Sequence, residues 1–392
     1  VIESDNLPAL LKGDRSHTSH ASRICGAADD ISLVAVLDQD ARMLDAMTRV
    51  IDVITYSKER LQTGAGNLVL AYDLLHDHLS KKLRLDFVRA ARRQLDDNLK
   101  TTEQTHFRAA GANVTQGYAV QSLAIMLAIA GDPGERNVRQ HEEYLCLALE
   151  ASVNVAINPD GYPEEDIGYG SDVAAWLVFH AEVASRAGLV NLFDRCPRLL
   201  RFGHAMLHFV QPWGAYLSNT GDFGGGSFGR RDFALPRIAR RSDDPTLLWL
   251  HGTLPQNDNS ILIGKEGVVF PREVTLSPGV QVPVHWRTML VLEELRRKGR
   301  HPSVSKPPTA YRDRRRGIVS FRSGWHEDDT FVVFDGSHRQ GGGQGHAHAS
   351  CGNFTLSALG EFFAIDCGRY NNEQNCHNVV LIDGKSGRTT DG

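Results

Sequence analysis

The 392-residue sequence contains no run of 18 or more apolar residues, which excludes a transmembrane helix of ordinary length. It has no excess of positive charge either. Lys and Arg number 43 against 47 Asp and Glu, a formal net charge of −4, whereas a dedicated nucleic-acid binder is normally strongly basic. The six cysteines show no CxxC or other metal spacing. An even count alone establishes no disulfide framework, so cysteine usage leaves the compartment open. The opening "VIESDNLPALLKGD" has no basic segment followed by an apolar core. No signal peptide is read there, as in a mature form whose leader has been removed. The glycine-rich "SNTGDFGGGSFGRRD" at 218–232 is not a phosphate loop, because no strand precedes it and no Gly-Lys-Ser/Thr follows.

What is present divides into two patterns, and the length suffices for two domains, each with its own core. Residues 30 to about 252 read as successive amphipathic helices, with apolar residues three and four apart in "ISLVAVLDQDARMLDAMTRVIDVITYS", "GNLVLAYDLLHDHL", "LRLDFVRAARRQLDDNL", "YAVQSLAIMLAIAG", "QHEEYLCLALEASVNVA", "DVAAWLVFHAEVASRAG" and "LVNLFDRCPRLLRFGHAMLHFV". Short connectors suggest stacked helical hairpins, a solenoid or a closed toroid. After about residue 260 the runs become short and β-branched or aromatic, split by Gly, Asp and Pro: "SILIGKEGVVF", "VTLSPGVQVPV", "GIVSFRSGW", "TFVVFDGS", "NFTLSALGEFFAIDCG" and "HNVVLIDGK". That is an antiparallel β-domain, read as a sandwich. The expected division is 1–255 helical and 256–392 β. The end, "GKSGRTTDG", comes straight after an apolar strand-like run and reads as an incomplete β-domain. Two basic clusters, "LRRKGRH" at 295–301 and "YRDRRRG" at 311–317, read mainly as solvated loops and strand edges. Some of their charges could line a cleft for an anionic substrate.

Polar residues concentrate at a few places. In "GGGQGHAHAS", His346 and His348 stand two apart, which on a strand puts both on one face. Asp366 closes the apolar strand "FFAID", and His377 begins the run "HNVVLIDG". Two imidazoles and a carboxylate suit zinc or a similar borderline cation. The plain alternative is strand-end polar residues satisfied by hydrogen bonds. In the helical half, "INPDGYPEEDIGYGSD" packs three acids and two tyrosines between two helices, and it also reads as an ordinary acidic interhelical loop.

Taken together, these segments resemble the heparinase II/III-like polysaccharide lyases. The block from "FRSGW" to "HNVVLIDG" resembles the family's central β-domain throughout: an Arg-Ser-Gly entry, the His-x-His, a Gly-Glu hairpin, Asp-x-Gly, then His-Asn. Upstream, "NPDGYPEEDIGYG" is similar to the family's Asp-Gly…Glu…Tyr segment, and "NTGD" to its Gly-Asp loop. The resemblance runs from about residue 100 to the end. It implies an incomplete N-terminal (α/α) toroid of helical hairpins followed by a C-terminal antiparallel β-sandwich, possibly truncated.

The resemblance also implies roles. The catalytic tyrosine falls on Tyr169 and the carboxylate-binding asparagine on Asn113, 56 positions earlier (169 − 113). His346 matches the histidine that reaches the cleft, and the metal ligands match His348, Asp366 and His377. The two neighbouring histidines then have different jobs, one for substrate and one for metal. Tyr162 and Trp213 are assigned to substrate binding. One departure stands out: where many members have a histidine after the asparagine, this chain has Val114. That favours a single tyrosine as both base and acid, or a moved histidine such as His106 or His204. Each of these two reads equally as a helix-surface or packing residue.

The activity so implied is β-elimination on a uronate-containing polysaccharide or oligosaccharide, a glycosaminoglycan, alginate or simpler glucuronan. Loss of the C5 proton builds a second charge beside the carboxylate, which needs preorganised donors. A base must take that proton and an acid must protonate the departing O4. The implied partners are the acidic saccharide and a structural divalent metal, zinc first, with no nucleic acid and no membrane, while a homo-oligomer is allowed. The implied location is periplasmic or secreted. Two other readings stand beside this one: a non-catalytic carbohydrate-binding protein on the same frame, and a uronate C5-epimerase.

Overall fold

The structure, a computed structural model, describes residues 25, 27–56, 65–109, 113–213, 217, 218, 220, 221, 234–253, 262–264, 267–269, 286–301, 307–336, 346, 348, 350–366, 376–380 and 383. By internal contacts the chain falls into two units: Val1–Arg108 with Gly117–Ala148, and Ala109–Gln116 with Leu149–Gly392.

The first unit is helical among the described residues. The sequence pattern predicts one helix over 31–57, but two are observed, Ala28–Asp38 and Ala41–Tyr56. Gln39 between them is left-handed, with φ 52°. Asp40 then caps the second helix, its Oδ1 accepting from the Arg42 and Met43 amides at 2.9 and 3.2 Å. A carboxylate that satisfies two orphan donors defines a helix start that apolar spacing alone does not show. Met47, Val50, Ile51 and Ile54 form the buried stripe of that helix. Helix Ala65–Leu75 packs against Ala28–Asp38, and its Tyr72 stacks on Phe87 of helix Lys81–Ala109 with centroids 4.1 Å apart.

The second unit contains the change from helix to sheet. The helix predicted over 189–210 is split into Leu192–Arg195 and Arg198–His208. Pro197 has no amide hydrogen to extend the first piece, and its fixed φ suits the start of the second. A further helix, Trp286–Arg297, lies where only strands and a basic cluster were expected. It packs on Leu235–Ser242, where Glu294 meets Arg240 at 2.6 Å and Arg240 also meets Glu182 of helix Ser171–Arg186 at 2.5 Å. The arginines of "LEELRRKGR" are therefore largely helical, with Arg296 and Arg297 both paired to Glu293.

Strands β1 (Leu262–Gly264) and β2 (Gly267–Val269) form a hairpin. Strands β3 (Ala310–Asp313), β4 (Ile318–Arg322), β5 (Phe331–Asp335), β6 (Phe354–Ala358) and β7 (Glu361–Ala364) form one antiparallel meander in chain order. The basic cluster "YRDRRRG" thus contributes a strand, β3, and the turn after it. Alternation decides the faces. Ile318, Ser320 and Arg322 of β4 and Phe331, Val333 and Asp335 of β5 are buried. Arg322 donates to the Val210 carbonyl at 2.7 Å, just beyond helix Arg198–His208. On the other face, Phe321, Phe334, Phe354 and Phe363 are 41–61% exposed, and Phe334 pairs directly with Phe354. Such a face is what a sandwich turns towards its second layer. Of the other two runs read as strands, 274–284 lies outside the described residues. The described part of the second, His377–Val380, forms no ladder, and Val380 is 92% exposed.

Three buried histidines of this unit set an acid limit. Burial holds His180, His208 and His251 down at about 4, against about 6.5 in an unfolded chain. Between those values the unfolded chain binds protons that the folded one refuses, so stability present above the unfolded pKa is lost as pH falls towards 4. Asp313, lifted to about 6 by burial, and Asp166, also raised by burial, act in the opposite sense. The three histidines, each lowered from about 6.5 to about 4, all act in one sense. The melting temperature is expected to fall between about pH 6.5 and 4, and to fall less steeply in His251→Leu. A flat profile over that range would refute neutral burial of the three rings.

Candidate active site

Pro163 and three successive acids precede the segment that carries Tyr169, residues that ordinarily open a helix. An antiparallel bridge pairs Ile157 with Pro163. A single π-helical turn, Asp166–Gly170, then runs straight into helix Ser171–Arg186. Turns of this kind are rare and gather at functional sites. Asp166 opens it at φ 62°, a left-handed conformation costly for a residue with a side chain.

The acids of this segment are buried, not the solvated loop that their charge suggests. Glu164 faces Arg315 at 3.9 Å. Asp166 accepts a hydrogen bond from the Tyr162 hydroxyl at 2.9 Å and one from Arg316 Nη2 at 3.3 Å. Arg316 also grips Asp335 with both nitrogens, at 3.2 and 3.0 Å. Its side chain is 2% exposed, against 74% for Arg314 and 40% for Arg315. Asp335 in turn accepts from Ser350 Oγ at 2.7 Å. One guanidinium thus ties the root of the π turn to the end of β5 and to the segment after the histidines.

Tyr169 is half-buried, and its ring lies on the imidazole of His346 with centroids 3.6 Å apart and planes 18° from parallel. Gly221 closes the arrangement from the "NTGD" loop at φ 69°. A Cβ there would come within 2.8 Å of the His346 carbonyl and 3.0 Å of Asp166 Oδ2, so only glycine fits.

His348 goes elsewhere. It is buried with Asp366 and His377, and the three offer ligand atoms that all lie within 4.8 Å of one another. The His377 Nδ1 to Asp366 Oδ2 distance is 2.8 Å. Asn353 donates to the same Asp366 oxygen at 2.5 Å, and its own Oδ1 accepts from the Asn378 amide. The Asn378 side chain spans the carbonyls of Phe354 and Ile365. His377 Nε2 is buried without a hydrogen bond, as a spare donor atom would be. Two imidazoles, a carboxylate and outer amides that orient them fit a borderline divalent cation.

Several expected residues are placed differently. His346 and His348 do not lie on a strand, so the shared face inferred from their spacing is not what separates or joins them. Tyr162, expected at substrate, has no exposure; besides bonding Asp166 it lies 3.3 Å from Thr220 Oγ1. In this structure its hydroxyl supports Asp166. Trp213 is half-buried and sets its ring edge-on to Phe362 at 5.0 Å. Asn113 opens helix Asn113–Ile129, but its side chain, with those of Val114 and His106, lies outside the described residues. His204 is on the surface, 3.4 Å from Asp244. Arg316, Asp335, Gly221 and Asn353 were not singled out from the sequence. The turn "DRRRG" was the available signal, and it does not say which of its three arginines turns inward.

Residues 315–389 match the family model described as heparinase II/III-like, C-terminal. Over these residues the chain is similar to the C-terminal domain of heparinase II/III-like proteins. The matched stretch contains Arg316, Asp335, His346 and the three candidate ligands. No curated protein matches the sequence. Among solved structures, the chain is similar to a heparan sulfate lyase from Pedobacter heparinus, with TM-score 0.54 and 15% identity over 87% of this chain and 48% of that one. A heparinase III gene product gives TM-score 0.57 and 12% identity over 97% of this chain and 62% of that one. A further heparinase III gives 0.55 and 12%, over 87% and 49%. The chain therefore spans about half to three-fifths of the structures it matches. At these identities the likeness shows the fold alone, helices followed by an antiparallel five-stranded sheet, in keeping with the expected incomplete (α/α) toroid and β-sandwich.

The separation of the Tyr169–His346 pair from the His348, Asp366 and His377 group makes a direct prediction. His377→Ala should lower bound metal and melting temperature together, because metal held by a folded-state site stabilises that fold. His346→Ala should leave metal content unchanged. Elemental analysis of both variants decides the matter, and loss of metal from His346→Ala as well would mean that His346 and His348 have been assigned the wrong way round.

Proposed function

We propose that the protein is a polysaccharide lyase that cleaves uronate-containing saccharides by β-elimination. The observation that carries this reading is the Tyr169 ring lying on the His346 imidazole at 3.6 Å, with Tyr169 on a π turn and His346 behind the glycine run. The family match over 315–389 and the fold shared with heparan sulfate lyase and heparinase III support it.

In this reading Tyr169 takes the C5 proton as phenolate. The electrons left at C5 form the C4–C5 double bond as the C4–O4 bond breaks, and the same phenol returns the proton to O4. One group does both jobs if proton and leaving group lie on the same side of the ring. A phenol has an ordinary pKa of about 10, so a donor or positive charge against it favours the reactive form. His346 is the group in place for that and for meeting the uronate carboxylate, whose charge grows as C5 is deprotonated. Asn113 is the second carboxylate donor by resemblance to the family. Glu164 and Asp166 are engaged with arginines, which keeps their charge from opposing an anionic substrate.

His348, Asp366 and His377 would hold the metal, with zinc the ion proposed. When bound, such an ion supplies structural cross-linking of the segment that carries His346, and Lewis acidity at any open position. A periplasmic or secreted location, where acidic polysaccharides are met, goes with this reading, and a cytoplasmic one is compatible with it.

Tyr169→Phe removes one oxygen and keeps the ring, so folding and the stack on His346 should persist. Turnover on a uronate polymer, followed by the ultraviolet absorbance of the unsaturated product, should fall at least about a hundredfold. Binding of the oligosaccharide should survive. Near-normal turnover in this variant would sink the mechanism.

A further inference from the structure

We infer that Arg316 is a positioning residue that sets the Tyr169–His346 stack, acting through Asp166 on one side and Asp335 on the other. The inference rests on the lyase reading for its kinetic consequence, but the geometry it concerns is independent of it.

Arg316 emerges from the tight turn between β3 and β4. There its amide donates to Asp313 Oδ1 at 2.6 Å and the Gly317 amide to the Asp313 carbonyl at 2.9 Å. The base of the side chain is therefore fixed by backbone. At its far end the fork meets Asp335 in bidentate fashion, a geometry that Arg provides and Lys does not. The nitrogen shared with Asp166 then reaches the first residue of the π turn, three positions before Tyr169.

The other end of the linkage leads to the histidines. Asp335 is held by the Asn353 carbonyl at its amide (2.8 Å) and holds the Gly352 amide at its carbonyl (2.7 Å). Its carboxylate takes the Ser350 hydroxyl, four residues after His346. Both partners of the aromatic stack are thus within a few residues of one guanidinium. Gly221 leaves the room this arrangement needs, since a Cβ there would lie 2.8 Å from the His346 carbonyl oxygen and 3.0 Å from Asp166 Oδ2. A site whose two rings come from segments more than 170 positions apart in sequence (346 − 169 = 177) needs such a common anchor.

Arg316→Lys keeps the charge and loses the fork. Circular dichroism and melting establish that the variant folds. The stack is then read by NMR at one fixed pH in both proteins. The His346 ring protons, assigned by their loss in His346→Gln, should be ring-current shifted by Tyr169 in the parent protein. In Arg316→Lys that shift should relax towards the value for an unstacked histidine. Turnover on uronate polymer should fall at least about tenfold with KM within about twofold, as for a misplaced reacting group. An unchanged ring-current shift in the folded variant would overturn the inference, and so would unchanged turnover. If Arg316→Lys does not fold, Asp335→Asn, of the same size, is read in the same way. Failure of both to fold would make the triad a fold determinant and overturn the positioning role. If the parent cleaves no uronate polymer while the ring-current result holds, the lyase reading fails and the positioning role stands.

Discussion

A guanidinium buried to 2% exposure must be paired, and Arg316 is paired twice. Leaving such a charge without carboxylates would cost several kcal/mol. The chain satisfies it by bringing Asp166 from the helical segment and Asp335 from the sheet to the same few ångströms. Much else depends on that requirement. Asp166 accepts a left-handed backbone so that its side chain can turn inward, and Tyr162 is buried to occupy its second oxygen. Gly221 has no side chain because one would collide with Asp166 and His346. Burial raises the Asp166 carboxyl, and Arg316 opposes that rise. The arrangement is thus an electrostatic compromise held by packing, and it holds the π turn in place.

The same region shows what a sequence makes legible. Apolar spacing found the helices because it reports which face meets the core, and it did so for all seven stretches named. It missed the break at Asp40 because a capping carboxylate leaves no mark on periodicity. It missed helix Trp286–Arg297 because the charged end of that helix resembles a solvated cluster. Only the three-dimensional pairing of Glu294 with Arg240 shows otherwise. In "DRRRG" three identical residues have exposures of 74%, 40% and 2%. That difference is set by the β3–β4 turn, and no feature of the three letters encodes it.

The metal candidates were legible for a different reason. His348, Asp366 and His377 stand in separate runs, and their convergence was read from resemblance to a family, which the match over 315–389 supports. The strand argument for His346 and His348 was weaker than it looked. Period-two logic requires a ladder, and these residues lie in turn and coil. One histidine is half-buried against Tyr169 while the other is buried with Asp366 and His377. The bonds of Ser350 and Asn353 hold the chain just behind them.

At 12–15% identity to the structures it resembles, the chain shares a fold with them through pattern more than through particular residues. Apolar positions in such a fold can be exchanged widely provided volume and face are kept. A buried ion triad cannot be exchanged piecemeal, since removing any one member strands the others in a low-dielectric interior. The positions that tolerate least change are therefore those where charge is buried, and here they adjoin the two rings of the proposed chemistry. Asn353 joins this group to the metal candidates: its side chain bonds Asp366, and its carbonyl holds the Asp335 amide. Arg316, Asp335, Asn353 and Asp366 form one connected polar framework within the second unit. Fold and proposed chemistry converge on that framework, which is why residues of support, and not only those of reaction, define the site.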